Sequence, residues 1–370
     1  MFMKKIKIYV KKAIKNTPIW ARISLCLGLF SGIMYLSFLI SPEFSDFFNR
    51  YPAAFFRALL AKITGVLPFS VAETVIMLLP IIITLVVIRI IKAARGELKE
   101  TFKLFVSMMA VLSLFFTSFS LMFASGYRGS TLDKKLGLER TPVSAADLDA
   151  TARVLLNELT ELVPQVKFTP SGSSAMPYSL FKMDDKLQDA YIKAAKKYDF
   201  LPSFRSTVKP IILSEPMTYT HISGIYTFFT GESNINTNFP DYTLPYTAAH
   251  ELAHQRGIAR EDEANFVAYL VCISSDDAYI RYSGYLNMYE YLLIALRRAD
   301  VGLYKQSLDS LSRDILDELL AYSAFFSKYE GSVASSISGT INDTYLTIQG
   351  AGGSASYGTV VDLTVGYYSD

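Results

Sequence analysis

Three long apolar runs near the start of the chain most constrain its fold. They occupy residues 19–41, 74–91 and 104–124. At about 1.5 Å of rise per residue, an α-helix over each run can cross a hydrocarbon core of roughly 30 Å. We therefore predict a membrane domain with three transmembrane helices over residues 1–125. Buried helices of a soluble protein are the alternative, and three such runs within so short a stretch disfavour it.

Charge divides the chain at the same place as hydropathy. Residues 1–125 carry 15 Lys and Arg against 5 Asp and Glu, a net charge of +10, whereas residues 126–370 carry 21 against 29, a net charge of −8. Positive charge that accompanies apolar runs is typical of membrane flanks and not of a nucleic-acid surface. We therefore expect membrane lipid as a partner and no nucleic acid.

The distribution of positive charge also predicts the orientation of the spans. Six lysines precede the first run: Lys4, Lys5, Lys7, Lys11, Lys12 and Lys15. Five basic residues cluster at the end of the second run and between it and the third: Arg89, Lys92, Arg95, Lys99 and Lys103. Since the first loop, residues 42–73, has only three, the positive-inside rule places the N-terminus and the second loop in the cytoplasm. We therefore expect a multi-pass protein of the cell membrane whose residues 126–370 form an extracytoplasmic domain.

One segment of the first loop has two interpretations. Residues 53–67 have apolar side chains at helical spacing and sparse positive charge. A helix of this kind lies in the plane of the membrane interface, or it packs against the spans as an ordinary short helix. The sequence does not separate the two.

The chain after the third run has a mixed pattern. Residues 144–163 and 181–198 have helical periodicity. Three short β-rich segments follow between residues 208 and 238, punctuated by Gly, Pro and Asn. The helical pattern returns over residues 247–328, and a Gly- and Ser-rich segment at residues 349–358 is predicted to be a loop. We expect an α+β, helix-rich protein with a small sheet ahead of a long helical half.

Two of the chain's three histidines, His250 and His254, lie four residues apart in the segment TAAHELAH. An α-helix brings residues i and i+4 to one face, where two imidazoles can bind one Zn²⁺. Glu251 lies about 100° round the helix, beside the metal face. It is the candidate catalytic residue, a general base for a water whose pKa the metal lowers toward about 7. A surface helix with incidental histidines and a metal site without catalysis are the alternatives.

A catalytic zinc site needs a third protein ligand and one open position. Gly257 is placed to end the helix three residues after His254, and a new helix can begin within the segment REDEANF. Glu261 and Glu263 both lie in the first turn of that helix, but on different sides of it, so only one of them reaches the metal. Spacing alone leaves the choice between them open.

The segments FTGESNIN, PYTAAHELAHQRGIAREDEANFVAYL and RYSGYL resemble the bacterial membrane-protein family DUF3810, which implies a zinc metallopeptidase anchored in the membrane. Glu261, Ala264 and Asn265 are also similar to the E-x-x-A-D element of gluzincin peptidases, in which the Glu is the third zinc ligand. This similarity favours Glu261 over Glu263. It implies a zincin-like catalytic domain at residues 126–370, in which a strand edge before the motif helix holds the substrate. Asn265 stands where many of these enzymes carry Asp.

Three residues outside the motif are candidates for transition-state or substrate contacts: His221, Tyr282 and Asn234. His221 or Tyr282 can stabilise the oxyanion that forms when water attacks a carbonyl, although a single His beside a strand is more often structural. Asn234 alternates with Glu232 and Asn236, so the three share one face of a strand. That face contacts substrate or is solvated, and the solvated interpretation is favoured.

Together these patterns predict a membrane-anchored zinc-dependent metallopeptidase. A water bound to Zn²⁺ and activated by Glu251 hydrolyses a bond of a peptide or protein substrate outside the cytoplasmic membrane. Two alternatives remain: a non-hydrolytic zinc-binding membrane assembly module, and a zinc amidase that acts on a cell-wall substrate. A pure binding module has no need of Glu251, whereas the motif defines the attacking water and not the substrate.

Overall fold

The protein folds mainly into helices, with one small sheet between two helical parts of the chain. The computed structural model describes residues 17–95, 98–139, 142–332, 334–336, 338–340 and 357–369. The helices before the sheet are α1 (Ile19–Ile40), α2 (Pro42–Phe48), α3 (Ala54–Thr64), α4 (Val71–Ala94), α5 (Leu98–Phe119), α6 (Ser125–Arg128), α7 (Leu132–Leu136), α8 (Ala145–Leu162) and α9 (Leu180–Lys197). The strands are β1 (Val208–Pro210), β2 (Gly224–Thr227) and β3 (Glu232–Ile235), with α10 (Ser214–Thr218) after β1. The helices after the sheet are α11 (Thr243–Gln255), α12 (Glu261–Ile273), α13 (Ala278–Ala299), α14 (Val301–Asp309), α15 (Arg313–Ser327) and α16 (Tyr357–Ser369).

Three helical segments are long and apolar enough to cross a membrane, at Ile19–Ile40, Val71–Lys92 and Thr101–Arg128. Few of their side chains are buried inside the protein, and such an outward apolar surface fits a lipid environment. Each predicted run coincides with one of them, which fits a membrane-anchored protein. The third is longer than its run because a π-helical turn at Ser120–Ala124 joins α5 to α6. The six N-terminal lysines on which the predicted membrane orientation depends lie outside the described residues.

The main core lies among the helices that follow the spans. Helix α8 packs against α13, and the motif helix α11 lies between α12, α13 and the sheet. Ala248, Ala249 and Ala253 on α11 are fully buried, and their small side chains let the neighbouring elements pack closely around it. The predicted helices of this part are present. Residues 349–356 of the predicted loop lie outside the described residues, whereas Tyr357 and Gly358, the predicted end of that loop, instead begin α16.

The sheet has the order β1–β3–β2, with β1 parallel and β2 antiparallel to the central strand β3. Every residue of β3 is buried, and Glu232, Asn234 and Asn236 are each at most 1% exposed. The favoured interpretation of a solvated face is therefore wrong. Helix α11 covers the strand, and the Ser233 hydroxyl donates to the Glu251 carbonyl oxygen at 3.0 Å.

A buried ion pair joins the sheet to the second apolar helix. The Glu232 carboxylate accepts from Lys209 Nζ at 2.5 Å. It also accepts from the backbone N–H groups of Val71 and Ala72, at 3.0 and 2.9 Å. These two groups begin α4, and a negative charge at a helix N-terminus is favourable. The start of the second apolar helix is therefore bonded directly to the sheet.

Glu232→Gln is expected to lower the free energy of unfolding by about 3 kcal/mol, because it leaves the Lys209 ammonium buried without its counter-charge. Chemical denaturation of the full-length protein in detergent measures the change. Glu215→Gln is the matched control, since Glu215 forms an exposed pair with Lys328 whose loss costs about 1 kcal/mol or less. Adding Lys209→Met to Glu232→Gln is expected to recover much of the loss. Equal effects of Glu232→Gln and Glu215→Gln would contradict this role.

Candidate metal centre

Helix α11 and the turn after it bring three potential metal ligands together. His250 and His254 lie one turn apart on α11, with ring centroids separated by 4.6 Å. The helix ends because Gly257 adopts a φ of +94°, a conformation that favours glycine after a helix C-terminus. The chain then turns and begins α12 at Glu261, whose carboxylate returns to the two imidazoles.

The cluster consists of His250, His254 and Glu261, whose ligand atoms all lie within 4.8 Å of one another. Glu261 Oε2 is 3.2 Å from Nε2 of His250, and its Oε1 is 3.5 Å from Nε2 of His254. Nδ1 of His254 lies 2.7 Å from the Ile258 carbonyl oxygen. A proton donated there fixes the tautomer, so that Nε2 is the ring nitrogen that can bind a metal. Two imidazoles and a carboxylate form a donor set typical of a catalytic zinc site with one open position.

Charge within the cluster favours a cation. Burial by itself lowers the pKa of the His254 imidazole, but the adjacent Glu261 carboxylate outweighs burial and raises that pKa to about 9. Burial likewise raises the pKa of Glu261, but the two histidines outweigh it and hold that pKa well below its usual range. The carboxylate is therefore ionised, as a metal ligand must be.

Glu251 lies beside the cluster with one carboxylate oxygen unpaired. The residue is 4% exposed, and its Oε2 has no hydrogen-bond partner among the described residues. Gly224 makes room for it, because a Cβ at that position would lie 2.6 Å from Glu251 Oε1. Burial raises the pKa of Glu251, against the two histidines, which lower it. A buried carboxylate with a free oxygen beside the cluster is positioned to accept a proton.

The competing carboxylate, Glu263, is bound elsewhere. Its Oε1 accepts from the Leu132 backbone N–H at 2.9 Å and from Arg260 Nη1 at 3.3 Å. Two residues along a helix correspond to about 200° of rotation, so Glu261 and Glu263 face different sides of α12. The structure therefore brings Glu261, and not Glu263, to the two histidines.

The other three candidates do not join the cluster. Nε2 of His221 lies 3.0 Å from the Tyr329 carbonyl oxygen. The Tyr282 hydroxyl donates to Glu318 Oε2 at 3.2 Å inside the core. Asn234 is buried in β3, where its amide nitrogen donates to a carbonyl oxygen of β2 at 3.2 Å. Each of these side chains therefore has a structural bond of its own, away from the three ligands.

Residues from the N-terminal apolar part of the chain contact the cluster and the turn between its ligands, and they were not predicted from the sequence. Asn49 and Arg57 donate, at 3.0 and 3.3 Å, to backbone carbonyl oxygens in the turn between α11 and α12. Phe123, near the end of the third apolar helix, packs edge-on to the His254 ring with centroids 5.8 Å apart. Asn49 and Arg57 are polar residues in a largely apolar loop, and this contrast is the sequence signal that could have indicated them. Nothing in the local pattern indicates their partners.

Fold and site together define a class: a helix-rich protein with three helices that fit membrane spans and a His, His, Glu cluster that can hold a metal. The match to a family model is consistent with the resemblance in the sequence. The chain belongs to the family described as "Protein of unknown function (DUF3810)", whose model matches residues 48–365. The matched region includes the second and third apolar helices and the whole cluster. No curated protein and no solved structure matches the chain.

Proposed function

We propose that this protein is a zinc-dependent peptidase in which His250, His254 and Glu261 hold the ion and Glu251 is the general base. The observation that carries the proposal is the buried, unpaired Oε2 of Glu251 beside the three ligands. A buried polar atom without a partner costs free energy. Proton transfer at this position is a reason for a protein to keep such an atom.

The metal and Glu251 have separate roles in the proposed hydrolysis. A bound zinc supplies Lewis acidity and lowers the pKa of water toward about 7. Glu251 takes a proton from the attacking water and gives it to the leaving nitrogen as the C–N bond breaks. The close fit of the Glu251 side chain against Gly224 keeps the carboxylate beside the cluster.

The edge of the sheet favours a peptide as substrate. Next to the β2–β3 pair, one residue beyond each strand, the Asn236 N–H donates to the Ser223 carbonyl oxygen, and hydrogen-bonded pairs alternate along antiparallel strands. The backbone groups of Gly224 and Tyr226 therefore point away from β3, and the Tyr226 N–H interacts with the Glu251 carboxylate, which lowers the pKa of that carboxylate. No further strand lies on that side in the described part of the chain. An extended peptide can add to such an edge through main-chain hydrogen bonds.

We also propose that the protein has a zincin-like domain and an active site outside the cytoplasm. Two helices that carry His, His and Glu beside an edge strand agree with a zincin-like fold for residues 126–370. The positive-inside rule places this part of the chain, and with it the active site, outside the cytoplasmic membrane.

Hydrolysis of a degenerate peptide library by the purified full-length protein tests the proposal. We expect products that disappear when a chelator removes the metal and return when zinc is added, with the cleaved bonds identified by mass spectrometry. Zinc-loaded protein that leaves the library intact in both free and lipid-attached form would overturn the peptidase and favour a zinc-binding assembly module. Cleavage of cell-wall fragments alone, in a parallel assay, would assign an amidase instead.

A further inference from the structure

We propose that the substrate is a peptide segment held at the membrane, cut within a few residues of the point where it leaves the bilayer. The inference rests on the peptidase function proposed above and names the substrate class of that same site. It depends on four features: the position of the hairpin between β2 and β3, the position of the cluster, the direction of β2, and the apolar surface of the loop between the first two apolar helices.

The tip of the β2–β3 hairpin packs against the third apolar helix. The Phe228 ring lies 5.5 Å from that of Phe119, and the Phe229 ring lies 5.1 Å from that of Phe115. The Ser118 hydroxyl donates to the Phe228 carbonyl oxygen at 3.2 Å. Phe115, Ser118 and Phe119 all belong to the segment that is long and apolar enough to span a membrane. These contacts hold the tip of the hairpin against the candidate membrane-spanning helix itself.

The metal cluster lies close to the same helix. Phe123, which packs on the His254 ring, is four residues after Phe119, a rise of about 6 Å. Gly126 brings the end of this helix against the turn after α11, since a Cβ there would lie 2.5 Å from the Gly257 carbonyl oxygen. The cluster is therefore within about one or two helical turns of the residues that hold the hairpin tip.

Strand β2 leads from the cluster to the membrane. It begins at Gly224, which abuts the Glu251 carboxylate, and it ends at Thr227, immediately before the Phe228 tip. Four residues of strand cover about 13 Å. A peptide added to the free edge of β2 therefore has one end at the membrane helices, and the bond beside Glu251 is about four residues away.

The surface around this end of the molecule is apolar. The loop between the first two spans exposes large side chains: Phe47, Tyr51, Phe55, Phe56, Leu59 and Ile63. The opposite face of the same loop carries Asn49 and Arg57, which bond to the turn between the metal ligands. A helix that is packed on the protein by one face and exposes large apolar side chains on the other fits the membrane interface. The loop therefore joins the metal-ligand turn to the bilayer surface, where a membrane-held peptide is available and a folded soluble protein is not.

The test uses the full-length zinc-loaded protein in phospholipid nanodiscs and one degenerate peptide in three forms. The first form is free, and the second carries a palmitoyl chain at one terminus. In the third form, an additional degenerate segment is inserted between the palmitoyl chain and the peptide. We expect the second form to be cut at least about tenfold faster than the first. Cleavage is expected about four to six residues from the anchor. In the third form the cut is expected to keep this distance and so to move with the anchor.

The third form separates the inference from simple concentration at a membrane. Equal rates for free and anchored peptides would overturn the inference and leave the peptidase intact. Cleavage that does not move with the anchor would do the same, because tethering alone would then explain any faster rate. No cleavage of any form by zinc-loaded protein would overturn the peptidase, and this inference with it.

Discussion

Glu251→Gln in the full-length protein is expected to lower the rate of peptide hydrolysis by about 10³-fold while zinc remains bound. The substitution keeps the size of the side chain and its contact with Gly224, but it removes the group that accepts a proton. Glu251 is not one of the three clustered ligands, so the donor set is unchanged. Hydrolysis of an anchored peptide and the metal content of the same preparation measure the two expectations.

Tyr282→Phe is the control for this experiment. The Tyr282 hydroxyl donates to Glu318 inside the core, so hydrolysis is expected to stay near the wild-type rate, whereas loss of an oxyanion donor costs about 10²-fold or more. Activity retained by Glu251→Gln would exclude this residue as the general base. Loss of zinc together with activity would show that the carboxylate supports the cluster instead of transferring a proton.

The local part of the candidate site could be predicted because short-range rules determine its geometry. One helical turn separates His250 from His254, and Gly257 supplies the left-handed residue that reverses the chain. Glu261 follows at the start of the next helix. The rotation between successive residues of that helix then separates Glu261 from Glu263. All these positions lie within one short segment, so no distant contact is needed to bring them together.

The surroundings of the cluster could not be predicted because they join residues far apart in the chain. Asn49 bonds to a residue 208 positions away, and Glu232 caps a helix that begins 161 positions before it. Alternation along β3 indicates which side chains share a face, but it does not indicate what covers that face. The apolar runs likewise predict spans without showing that Phe228 and Phe229 pack against the third.

Glu261→Gln is expected to weaken zinc binding by more than about 100-fold, whereas Glu263→Gln leaves it near the wild-type value. Loss of a residue that only orients a metal ligand costs about 10–100-fold in affinity, so loss of the ligand itself costs more. The two substitutions are chemically identical and lie two residues apart on α12, but they change different sides of that helix. Competition with a chromophoric chelator measures the affinity of both variants.

Folding must be separated from binding in this comparison, because Glu263 accepts from Leu132 and Arg260 and its loss destabilises the protein. Zinc affinity retained by a less stable Glu263→Gln protein is therefore the informative combination. The reverse order of affinities would assign the metal to Glu263 and require α12 to rotate. Equal affinities would mean that neither carboxylate supplies the third donor. The Glu261 carboxylate lies within 3.5 Å of both imidazoles. The geometry therefore favours weaker zinc binding by Glu261→Gln than by Glu263→Gln.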